Sequence, residues 1–160
     1  MDFVVADACS LPYMNQAFDV VFCQSCLHIV IDYNQCAEEL ARVLKLGAKA
    51  VFCEEGLGYN PFLRPIRWVR RRKYRECGGR PLTYPDIASF GKPFSSTTIH
   101  HFNLLAQGKS AFVGQLRRRG RLPTSTRRLI RLLERIDEIV LQTAPWAKRF
   151  CGTVVVEYTR

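Results

Sequence analysis

Short apolar runs closed by small polar residues dominate the first third of the chain. Phe3-Val4-Val5-Ala6 ends on Asp7 and reads as a strand. Leu11-Pro12-Tyr13 followed by Asn15-Gln16 reads as a turn. Phe18-Asp19-Val20-Val21-Phe22-Cys23 is nearly all apolar, the pattern of a strand buried on both faces of a parallel sheet. Asp32 is a helix N-cap candidate. The run Tyr33 to Leu44 sets Cys36, Leu40, Val43 and Leu44 at helical spacing, and Gly47 stands where such a helix would stop. Ala48 to Cys53 is a further strand. Strand, helix and strand at this spacing predict a βαβ unit with a right-handed crossover, so the expected class is α/β.

The middle of the chain is less regular. Pro61 to Arg75 predicts a helix interrupted at Pro65, and Pro85 to Phe90 a short one. His100 to Leu105 reads as a strand. Ser125 or Thr126 can cap a helix running to about Thr143, with Leu129, Leu132, Leu133, Ile136, Ile139 and Val140 on one face and Pro145 ending it. Thr153 to Tyr158 closes the chain as a strand.

Length changes this picture little: 160 residues make one domain with a real core. Its expected parts are core strands and helix over 3–58, a basic irregular segment over 59–100, and final strands and helix over 101–160. No apolar stretch approaches the roughly 20 residues of a membrane span, and residues 1–10 have no basic stretch of a secretory signal. The seven cysteines are scattered through apolar runs, which fits reduced thiols in a cytoplasmic protein. Cys23-Gln24-Ser25-Cys26 is a CxxC, but Cys23 ends a strand and no second Cys or His pair completes a zinc set. Small buried side chains, and no metal, are the expectation.

Charge divides the chain. The net +10 arises after Pro61, in runs over 64–80 and 117–135, while the first 60 residues are acidic. An amphipathic cationic segment can dock on an anionic membrane surface, follow a nucleic-acid backbone or hold a phosphorylated substrate; it can equally be a solvated face. No nucleic-acid-reading motif accompanies the runs.

The ordered string from Val5-Ala6-Asp7-Ala8 through Leu11-Pro12-Tyr13, Phe18-Asp19-Val20-Val21, Leu27-His28, Asp32 and Arg42-Val43-Leu44-Lys45-x-Gly47 resembles the class I S-adenosylmethionine-dependent methyltransferases. The nearest branch is that of the ubiquinone and menaquinone C-methyltransferases. Similarity is close over 3–55 and looser through Asn60-Pro61, Arg80 to Ile87 and the last helix and strand. Leu46 stands where the family usually has proline, and Ala48 where a second glycine is common. The resemblance implies a Rossmann-like doubly wound sheet of strand order 3-2-1-4-5-7-6 and methyl transfer from S-adenosylmethionine to a small-molecule or lipid-like acceptor. In that family the segment corresponding to 59–100 lies near the substrate.

The resemblance also implies roles for individual residues. Asp7 would accept a hydrogen bond from the adenine amino group, the N–H of Ala8 would face a ring nitrogen, and Gln24 would contact the cofactor. His28 is the candidate base, with His100, His101 and Tyr84 more distant candidates. No glycine-rich strand–loop–helix precedes Phe3, so the expected molecule is a truncated core lacking the first two strands. Cofactor binding weaker than about 1 mM and an isolated chain not competent for catalysis follow. The edge of Phe18–Cys23 would then be met by Phe3–Ala6, by a second chain, or by aggregation. The alternative is a non-catalytic remnant that binds an anionic partner, a membrane surface or nucleic acid, through its basic half. Localisation is read as cytoplasmic, with a peripheral membrane role open.

Overall fold

In the computed structural model, residues 3–30, 32–55, 82–105 and 124–160 are described. Four strands form one sheet: β1 (Phe18–Gln24), β2 (Leu44–Glu55), β3 (Ser96–Phe102) and β4 (Thr153–Thr159), in spatial order β1-β2-β4-β3. β1 runs parallel to β2, and β4 lies antiparallel between β2 and β3. That is the 4-5-7-6 half of the expected strand order, with the reversed strand second from the edge. The helices are α1 (Tyr33–Val43), α2 (Tyr84–Phe90) and α3 (Thr124–Thr143). The expected helix over 61–75 and the basic run 64–80 lie outside the described residues.

The core sits between one sheet face and helices α1 and α2. Alternation along β2 and β4 turns Ala48, Ala50, Phe52, Val154, Val156 and Tyr158 inward, where they meet Cys36, Ala37, Leu40, Ile87 and Phe90. Phe90 and Tyr158 pack at 5.2 Å between ring centroids, and Phe52 meets Phe90 at 5.3 Å edge to face. The buried Tyr158 hydroxyl donates to the Ile87 carbonyl at 3.1 Å, so the ring's polar end is satisfied.

Helix starts follow local chemistry. Asp32 caps α1, its carboxylate accepting the Gln35 N–H at 3.0 Å. Asp86 accepts the N–H of Thr83 at 2.9 Å and fixes the first turn of α2. Helix α3 begins at Thr124, so Ser125 and Thr126 lie inside it and do not cap it, and it ends at Thr143, just before Ala144 and Pro145.

Four expectations need correction. Residues 3–6 form no strand: they make no ladder with any described strand, and Phe3 and Val5 are fully or nearly fully exposed. The edge of β1 is therefore open among the described residues. β1 is not buried on both faces, because Val20 and Phe22 are 59% and 65% exposed on the face away from α1. Gly47 does not end a helix. α1 stops at Val43, and Gly47, at φ 77°, sits in a bulge that shifts the register from Phe18↔Leu44 to Val20↔Lys49. β3 begins four residues earlier than His100 and ends at Phe102, where Asn103 turns the chain at φ 59°. The apolar stripe of α3 is largely exposed at Leu129, Leu132, Ile136 and Ile139. The buried residue of that helix is Asp137, whose carboxylate accepts the Leu105 N–H at 2.7 Å. Among the described residues no helix is long and apolar enough to cross a membrane.

Candidate active site

A cavity of about 770 Å³ opens between the 7–11 turn, β1 and α1. Its size is that of a small-molecule or cofactor site. Asp7, Ala8 and Ser10 supply a polar rim, while Leu11, Val21, Leu40 and Phe52 supply apolar wall. The rim is built by the turn itself. Asp7 accepts the Cys9 N–H on Oδ1 at 2.9 Å, and its carbonyl accepts the Ser10 N–H at 3.0 Å. A carboxylate has about four acceptor positions, so this turn bond does not exhaust Asp7, which stays exposed at the mouth.

Helix α1 holds that turn in place. Glu39 Oε1 accepts the Leu11 N–H at 2.8 Å, and Arg42 donates to the carbonyls of Leu11 and Tyr13 at 3.1 and 2.8 Å. The Arg42 guanidinium and then the Leu11 N–H bring the Glu39 carboxyl down to about 2.

The predicted residues divide into two groups. Asp7 and Ala8 line the cavity. Gln24 ends β1, exposed, and His28 lies on the 3-10 turn Leu27–Ile29; neither lines it, although their neighbours Cys23, Cys26 and Ile29 do. The CxxC cysteines are half-buried and line the cavity wall. Cys9 and Cys36 line the same cavity, and burial pushes the Cys36 thiol up to about 12. Among the described residues no group of three or more His, Cys, Asp or Glu could hold a metal ion.

His28 has a partner that its sequence position did not reveal. Its Nδ1 lies 2.9 Å from Oε2 of Glu54, a side chain 1% exposed near the carboxyl end of β2. The signal was present: Glu54 falls on the inward phase of Ala48, Ala50 and Phe52, where a charge is out of place. Two of the distant candidates also meet, with Tyr84 Oη 3.1 Å from His101 Nε2. Burial first, then the positive Lys148, lowers the His101 pKa. His100 points away from that pair, exposed.

Residues 1–52 match a family described as "Methyltransferase domain". The chain is similar over 96% of its length to a phosphoethanolamine N-methyltransferase of Haemonchus contortus bound to S-adenosylhomocysteine, with a TM-score of 0.57, 15% identity and 36% of that chain covered. A methyltransferase from Thermotoga maritima gives a TM-score of 0.60 at 12% identity, covering 98% of this chain and 63% of that one. The fold is that of the class I S-adenosylmethionine-dependent methyltransferases. In sequence, 64 residues, 40% of this chain, are 38% identical to a demethylmenaquinone methyltransferase of Clavibacter sepedonicus. The match spans about a quarter, 26%, of that relative. Within this methyltransferase fold, the 7–11 cavity lies beside the parallel pair β1 and β2, and Glu54, His28 and Gln24 lie at those strands' carboxyl ends.

Proposed function

We propose that this chain carries the adenine side of an S-adenosylmethionine site and serves methyl transfer to a small-molecule, lipid-like acceptor. The observation that supports this reading best is the 770 Å³ cavity with Asp7 and Ala8 at its mouth, in a fold shared with methyltransferases. The residues present fit the cofactor. An exposed carboxylate suits an exocyclic amino group, and Leu11, Val21 and Leu40 offer apolar contact to a flat ring. The sulfonium supplies an already activated methyl group, so the protein's part is orientation and, where the acceptor must lose a proton, a base. The likeness to a demethylmenaquinone methyltransferase favours a lipid-like acceptor.

Nuclear magnetic resonance with S-adenosylhomocysteine tests the reading. Amide shifts confined to Asp7–Leu11, Val21–Cys26 and Cys36–Leu40 are the expected result. Shifts confined to the hollow between β3 and α3, about 460 Å³ and lined by His100, Glu134 and Lys148, would contradict it.

A further inference from the structure

Glu54 is an ionisable residue in a position that the strand pattern reserves for apolar ones. A buried carboxylate persists only when its oxygens are satisfied, and here the two oxygens divide the task. Oε1 accepts the N–H groups of Cys26 and Leu27 at 2.8 and 2.7 Å, and Oε2 faces His28 Nδ1 at 2.9 Å. The two backbone donors fix which oxygen points where. An ionised carboxylate has no proton to give, so in the neutral imidazole Nδ1 is the donor and Nε2 the accepting nitrogen.

We infer that Glu54 is a positioning residue for proton transfer: it holds His28 as the Nδ1–H tautomer, making Nε2 the nitrogen that takes a proton from the methyl acceptor. The inference rests on the methyltransferase reading above. In the step, the acceptor's O–H, N–H or C–H proton passes to Nε2. The electron pair so released bonds to the methyl group, and the pair of the breaking S–CH₃ bond stays on sulfur. The positive charge of the sulfonium thus ends on the imidazolium, whose Nδ1–H faces the Glu54 carboxylate.

The sheet register places a second hydrogen-bonded pair on the same face. Glu54, Val154 and His101 are successive partners across β2, β4 and β3, so they share one face. Two strand spacings, about 10 Å, therefore separate Glu54 from the backbone of His101, which is hydrogen-bonded to Tyr84. Val154, fully buried, lies between them on that face.

Glu54→Gln is the informative variant. Its amide oxygen can keep both backbone bonds, but its NH₂ then faces Nδ1 and demands the Nε2–H tautomer. Long-range ¹H–¹⁵N spectra of the neutral ring read this directly. The expected result is Nδ1–H in the wild type and Nε2–H in Glu54→Gln, with S-adenosylhomocysteine bound equally by both. An Nε2–H tautomer in the wild type, or the same tautomer in both proteins, would overturn the inference; the wild-type spectrum decides even if the variant fails to fold. A tautomer switch without any S-adenosylhomocysteine binding would instead overturn the methyltransferase reading, and with it the role in proton transfer.

Discussion

Glu39 and Arg42, one turn apart on α1, close a two-point ion pair with contacts of 2.8 and 2.6 Å, and the same two side chains carry the loop that walls the cavity. Arg42 also bonds Asn15 Oδ1 at 2.7 Å, and its carbonyl accepts the Gln16 N–H at 2.9 Å. The Arg-Val-Leu segment at the end of α1 is therefore a clamp as well as a helix end.

That clamp titrates in acid. The folded Glu39 carboxyl is lowered from 4.5 to about 2, so between those values the unfolded chain binds more protons than the folded one. Its stabilisation is present in full above pH 4.5 and is lost as pH falls toward 2. Glu39→Gln should flatten this part of the stability–pH curve, followed by urea unfolding at pH 3 and pH 6. A curve unchanged in shape would separate Glu39 from the acid response.

Glu54 makes a contrasting prediction. Glu54→Ala leaves the buried Leu27 N–H and the half-buried Cys26 N–H without their acceptor, each lost bond costing about 1–3 kcal/mol, so a loss of about 2–6 kcal/mol is expected from denaturant midpoints. Glu54→Gln, which keeps those acceptors, should lose much less. Equal losses would mean that packing, not hydrogen bonding, is what Glu54 supplies.

Legibility in the sequence followed locality. Asp32 and the spacing of α1 are decided by neighbours within one turn, and their residues announced them; the short helix expected from Pro85 is α2, which begins one residue earlier at Tyr84. Residues 3–6 look like a strand, but a strand exists only through its partners, and pairing is not written in Phe3-Val4-Val5. The same holds for β1, whose apolar run gave no hint that Val20 and Phe22 face outward. At the site, Asp7 and Ala8 were legible from their place after an apolar run and from the family resemblance. Glu54 and His28 are 26 residues apart, and only the parallel pairing of β1 with β2 brings them together.

Among the described residues nothing pairs with the outer edge of β1, beside the exposed Val20 and Phe22, and such an edge is a template for association. Val20→Lys together with Phe22→Lys should raise the concentration at which light scattering reports association, with little change in unfolding midpoint. Unchanged association would place the sticky surface elsewhere.

The described part of the second basic run lies on α3, where Arg127, Arg128, Arg131 and Arg135 are exposed. Read as a solvated face, replacing all four with glutamine should change stability by about 0.5 kcal/mol or less per site and leave vesicle and RNA co-sedimentation unaltered. Salt-sensitive binding that disappears in the variant would instead assign the run an anionic partner.

The most direct measurement is calorimetric titration of S-adenosylhomocysteine into the wild type and Asp7→Ala. A hydrogen bond to a charged acceptor is worth about 1.5–3 kcal/mol, so the variant should bind about 10- to 100-fold more weakly, or not detectably where the wild type is itself weak. Equal dissociation constants for the two proteins, or no binding by the wild type at the highest soluble concentrations, would contradict an adenine site at Asp7.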